Sequence, residues 1–243
     1  MNDLQRLTDT LTTIVGEGGA IAPQRICAAC VVALPVTGAA ITVMTSGDRQ
    51  EPIYATDSVA NELDDLQFKL GEGPGVAAFR ENKPVQIADL ADISDSRWPM
   101  FAIAARRTPA RAVYVLPLQA GKVGVGVLAL YHLEPGLLPA EGLTGALRVA
   151  DAALWALLGL RSGGTLGEGE TETALDPHGW LTGAPLHRTE VYQATGMIIA
   201  QLDVSAATAL ARLRGYAFTK GPSLGEVARE VVTRRLRFDK EKT

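Results

Sequence analysis

The chain has 243 residues, 47% of them hydrophobic and 21% charged, with a formal net charge of −4 and two cysteines. That length suits one medium domain and one small one, and so few cysteines exclude a disulfide-stapled scaffold and agree with a reducing compartment. The opening MNDLQRLTDT has neither the basic start nor the apolar core of a signal peptide, and no apolar run is expected to reach membrane-spanning length, so a cytoplasmic location without membrane contact is expected.

In chain order, helical patterns occupy 4–14 and 23–33, and short β-rich runs follow at 39–44 and 52–55. Helices are expected at 58–66 and across GEGPGVAAFREN, then a strand at 84–88 and a helix at 96–106. Runs at 112–118 and 123–131 are joined by QAGK, a hairpin signal, and a long helix is expected at 139–160. Antiparallel strands with helices between and around them predict an α+β sheet domain over residues 1–160. Residues 161–186 offer little apolar surface apart from Trp180 and read as a linker.

Residues 187–238 carry three amphipathic stripes, with a short tail at 239–243. Val191, Ala194, Ile198 and Leu202 recur at helical spacing, as do Ala206, Ala209, Leu210, Leu213 and Ala217, then Leu224, Val227, Ala228, Val231 and Val232. Ser223 followed by Glu226 offers a capping box. A small all-α three-helix bundle is expected. From His187 onward ten Lys and Arg face six Asp and Glu, a net of +4, whereas the preceding 186 residues hold thirteen against twenty-one, a net of −8. A basic helical unit on an acidic carrier points to a polyanion partner, the alternative being a solvated basic face.

The segment VYQATGMIIAQLDVSAATALARLRGYAFTKGPSLGEVAREVV resembles the ANTAR family of RNA-binding antitermination domains. Gln193, Ala194, Gly196, Met197 and Ile198 carry the likeness in the first helix, Ala209, Leu213, Arg214 and Ala217 in the second, and Leu224, Val227, Ala228 and Val231 in the third. The family usually has Lys between the Ala and Gly of its first helix, where this chain has Thr195. The resemblance implies binding to tandem hairpins with six-nucleotide loops in a nascent leader transcript, and hence two copies of the protein, a homodimer.

LGEGPGVAAFRENKPVQIADL, DSRWPMFAIAARR and AVYVLPLQAGKVGVGVLALY, in that order, resemble a GAF domain, which implies a sensory or dimerising antiparallel sheet with flanking helices. The combination implies a GAF-ANTAR regulator of transcription. The alternatives are a DNA-binding helix-turn-helix factor and a ligand-responsive dimer that binds no nucleic acid.

The candidate RNA-binding residues are Gln193, Thr195, Gly196, Arg212, Arg214, Tyr216, Lys220 and Arg229. Flat groups and cations suit unstacked loop bases and their backbone. Gly196 in mid-helix is explained either by close helix packing or by an approaching RNA backbone, and Tyr216 either by stacking or by covering the bundle edge. Arg234, Arg235 and Arg237 suit a helix C-terminus whatever the function. In the front domain Tyr54, Trp98, Phe101 and Tyr114 are candidates to line a pocket for an unidentified small molecule, with plain core duty as the alternative. GEGPGV has neither the ending of a P-loop nor the spacing of a dinucleotide fingerprint, and reads as a turn and helix start. Cys27 and Cys30 lack a second ligand pair, so no metal site is assigned. No catalytic constellation is identifiable, and neither an enzyme activity nor a cofactor is expected.

Overall fold

The computed structural model describes residues 3–45, 49–93, 97–162 and 186–239. Trp180 and most of the expected linker lie outside the described residues. In order the elements are α1 Asp3–Glu17, α2 Ala22–Ala33, β1 Gly38–Met44, β2 Gln50–Ala55, α3 Ser58–Leu70, α4 Pro74–Glu81, β3 Val85–Ile87, α5 Pro99–Ala105, β4 Ala112–Ala120, β5 Val123–His132, α6 Ala140–Ser162, α7 Leu186–Leu202, α8 Ala206–Lys220 and α9 Leu224–Val232.

The five strands form one sheet in the order β2-β1-β5-β4-β3, antiparallel at every pairing. Alternate side chains leave its two faces, as the strand period requires. On β4, Tyr114, Leu116 and Leu118 join Leu7, Ile26 and Val149 under the α1, α2 and α6 layer. Val113 and Val115 instead meet Ala60, Val76 and Phe101 under α3, α4 and α5. This is the α+β architecture expected of residues 1–160.

Helix α3 runs four residues beyond its expected end. Asp57 accepts from the Val59 and Ala60 amides at its start, and Gly71, at φ 73°, stops it in the left-handed conformation that glycine adopts at least cost. In the glycine-rich loop Pro74 opens α4. Glu72 accepts from the Met100 and Phe101 amides at 2.7 and 3.0 Å, capping α5, which begins at Pro99 rather than near 96. The loop is thus a turn and helix start, and its Gly75 amide is already taken by Gln67 Oε1.

One sequence expectation is corrected by α6. Ala140–Leu160 has a mean hydropathy of 1.4 and is long and apolar enough to cross a membrane by length and composition alone. Half of that window is buried, with Ala146, Val149, Ala153 and Leu157 packed in the first core layer. Its apolar content thus follows from core packing.

Helices α7, α8 and α9 bury the expected stripes against one another, from Val191 and Ile198 through Leu213 to Val231. Ala206 is the exception, exposed in the first turn of α8. Ser205 caps α8, and the Ser223–Glu226 capping box at α9 is present with both reciprocal bonds. One member of this core comes from elsewhere in the chain: Phe68 of α3 is fully buried among the bundle's side chains.

Candidate nucleic-acid interface

The bundle meets the sheet domain through one face of α7 and one flank of α8. On α7, Arg188, Tyr192 and Thr195 fall at steps of four and three residues, which places them on one stripe. Arg188 is fully buried. Its Nη2 donates to Asp64 Oδ2 at 2.7 Å and to Asp65 Oδ1 at 2.9 Å, and its Nη1 to the Gln50 carbonyl at 3.2 Å. Burial opposes the charge, but the Asp64 and Asp65 carboxylates outweigh it and hold the guanidinium above its ordinary pKa. Its Nε has no hydrogen-bond partner among the described residues.

Tyr192 exchanges two hydrogen bonds with the Gln50 main chain, each 2.7 Å, and burial pushes its hydroxyl up to about 12. From α8, Arg214 donates through Nε and Nη2 to the Phe68 carbonyl at 3.1 and 2.6 Å. That carbonyl lies in the last turn of α3, where the helix dipole favours a cation. Gly71 lets the guanidinium in, since a Cβ there would lie 2.6 Å from Arg214 Nη1. The Phe68 ring is held by three groups: the Arg188 guanidinium carbon 4.4 Å from its centroid, that of Arg214 at 5.8 Å, and Tyr192 edge-on at 5.8 Å.

The candidate RNA-binding residues divide among three settings. Gln193 and Gly196 are exposed on the outer side of α7, and a Cβ on Gly196 would meet nothing within 4 Å, so no neighbouring helix in this structure accounts for the glycine. Arg212 and Lys220 are exposed on α8. The remaining four are engaged. Thr195 is buried, its hydroxyl donating to the Val191 carbonyl at 2.7 Å. Arg214 is bonded to α3. Tyr216 packs edge-on against Phe238 at 5.6 Å, as its packing alternative anticipated. Arg229 pairs with Glu190 through two bonds of 3.3 and 3.2 Å. The eight therefore do not make one continuous open surface. Arg212 and Arg214, two residues apart, are turned roughly 200° from each other about α8.

The sequence reading missed Arg188, Tyr192 and Phe68. The available signals were an Arg and a Tyr four residues apart at the start of α7, and the adjacent carboxylates Asp64 and Asp65 on an amphipathic helix. Nothing along the chain joins the two sets.

In the sheet domain the four candidate pocket aromatics are not brought together. Tyr54 and Tyr114 belong to the α1, α2 and α6 side of the sheet, whereas Trp98 and Phe101 belong to the other. Tyr114 donates to the Gly136 carbonyl at 2.8 Å. Arg106 donates to the Leu90 and Ile93 carbonyls and ties down the loop before α5. Cys27 and Cys30 are buried free thiols in α2.

The sheet domain is similar in fold to solved GAF domains. That of a phosphoenolpyruvate-protein phosphotransferase from Coxiella burnetii is 14% identical, with 68% of this chain and 98% of that chain covered and a TM-score of 0.53. The GAF domain of the Acinetobacter phosphoenolpyruvate-protein phosphotransferase is 10% identical, with 68% and 98% covered and a TM-score of 0.52. Free methionine-R-sulfoxide reductase from Neisseria meningitidis is 11% identical, with 67% and 95% covered and a TM-score of 0.50. At these identities the likeness establishes a fold. No curated protein sequence matches the chain. The family model of the ANTAR domain matches residues 181–232, a span that includes α7, α8 and α9. The chain thus has a GAF-ANTAR architecture: a GAF fold followed by an ANTAR domain.

Proposed function

We propose that this chain is an RNA-binding antitermination regulator, in which the ANTAR bundle binds tandem hairpins in a nascent leader transcript and the GAF-like domain controls it. The ANTAR match over the basic three-helix bundle carries this reading. The working division is residues 1–160, 161–186 and 187–238, with the protein acting in the cytoplasm and without catalysis. Two hairpins call for two bundles, hence a homodimer. Val32 on α2 and Trp155 on α6, 89% and 62% exposed, supply apolar surface for pairing of the GAF-like domains. The input is an unidentified small molecule received by that domain. Such an input moves an equilibrium only if it binds one arrangement better than another.

A second reading rests on one observation. The helix-turn-helix alternative falls on α8 and α9, the bundle's second and third helices; the 108° turn across a short break lies between α7 and α8, so it supports a helix-turn-helix only when shifted to that pair. One experiment separates the two. The full-length protein is titrated with a tandem six-nucleotide-loop hairpin, a loop-scrambled hairpin and duplex DNA of equal length, at several salt concentrations. Selective binding of the unscrambled RNA is expected. Preference for duplex DNA would transfer the function to the helix-turn-helix reading, and equal weak binding that salt abolishes would leave only a charge effect.

A further inference from the structure

The contact between the GAF-like domain and the bundle has the chemistry of nucleic-acid recognition. Arg188 and Arg214, buried and half-buried, donate to two carboxylates and a helix C-terminal carbonyl, the kind of acceptor that phosphate oxygens supply. Both guanidiniums lie near one flat ring, Phe68, with Tyr192 in a T-shaped contact beside it. Unstacked RNA bases are held in the same way, on arginine planes and aromatic side chains. The end of α3 therefore presents a ring with adjacent anionic groups, as a nucleotide does.

We propose, building on the RNA-binding reading above, that the face formed by Arg188, Tyr192 and Arg214 is an RNA-binding face of the bundle, and that Asp64, Asp65 and Phe68 of α3 occupy it in place of RNA. The structure is then the closed state. RNA and α3 compete for one face, and the GAF-like domain controls RNA access by holding or releasing α3. Two observations favour an exchangeable contact over a purely architectural one. Phe68 contributes to the bundle's core and to neither core layer of the domain that carries it. Arg188 is buried with its Nε unsatisfied, so the closed arrangement leaves a polar group at a cost that opening removes. Gly71 adds to the fit, because its missing side chain is the space that the Arg214 guanidinium uses.

The test places substitutions on the GAF side only, so that the bundle's own residues stay intact. Phe68→Ala and, separately, Asp65→Ala are made in the full-length protein, and affinity is measured for the hairpin and its loop-scrambled form. If the closed state holds about nine-tenths of the molecules, release tightens hairpin binding about tenfold. Asp65 is at the interface margin, its side chain 15% exposed, so its variant remains informative should Phe68→Ala fail to fold. Amide exchange across α3 in the wild type is the independent readout: saturating hairpin should accelerate exchange near Phe68, and the scrambled RNA should not. Selective binding with the same affinity in wild type and variants, and no change at α3, would overturn the competition while leaving the RNA reading intact. Loss of selectivity in every form, released variants included, would overturn the RNA reading itself.

Discussion

Cys27 and Cys30 lie one helical turn apart within the first core layer, and their chemistry follows from that placement. Burial raises both thiols, Cys30 to about 12, and the neighbouring thiol raises Cys27 further. A thiolate is the reactive form, so these groups are poor redox sensors in the folded chain. In the native protein at pH 8 both should resist a soluble alkylating reagent, and denaturant should release two reactive equivalents. Rapid modification without denaturant would show that α2 opens readily and that the two thiols are accessible to a redox signal. The linkage has a definite sign. The unfolded chain gives up these protons from about pH 8.5, whereas the folded chain keeps them, so stability is unaffected below that value and falls as pH rises toward the folded pKa.

At the scale of single elements, α7 makes a separable prediction through Gly196. A mid-helix glycine costs about 0.5–1 kcal/mol relative to alanine. Here a Cβ would find open space, so no contact among the described residues requires a glycine at this position. Gly196→Ala should therefore raise the bundle's thermal stability by about that amount, measured by unfolding of the full-length protein. If RNA also approaches the outer side of α7, the same change should weaken hairpin binding, and stability and affinity should move in opposite directions. Unchanged affinity would remove this side of α7 from the contact.

The elements themselves were largely legible in the sequence, because strand alternation and helical stripes are local. The expected runs at 39–44 and 112–118 fall within β1 and β4, and the Ser223–Glu226 box sits where the spacing placed it. The position of Gly71 held the signal for the true end of α3, since a left-handed cap explains why the helix continues to Leu70. The candidate site was less legible. Helix geometry alone separates Arg212 from Arg214, but the partner of Arg214 lies 146 residues away in α3. Thr195 is buried, with its hydroxyl on the Val191 carbonyl one turn back, a setting that the residue type alone does not announce. A lysine there would have to bring its charge out of a buried position, so Thr195→Lys acts first on packing.

At the scale of the whole molecule, Arg214 is bonded to α3 in this structure and, in the competition proposed above, to RNA after release. Its substitution therefore has no single expected effect. In the wild-type background Arg214→Ala removes a bond from the closed state and one from the RNA complex, and the two losses partly cancel in the measured affinity. In the Phe68→Ala background, where the closed state is already weakened, only the loss to RNA remains. Hairpin affinity should then fall by about tenfold, the scale of one charge-assisted bond of about 1.5 kcal/mol. The four proteins form a double-mutant cycle, and residues in one shared contact are the case in which such a cycle departs from additivity. The direction is fixed by the competition: Arg214→Ala should weaken binding more in the released background than in the wild type. Equal effects in both backgrounds would mean that Arg214 does not change partner. The salt dependence of the same titrations gives a separate check, because a phosphate contact made by Arg214 in the released protein should reduce the slope of affinity against salt by about one when it is deleted.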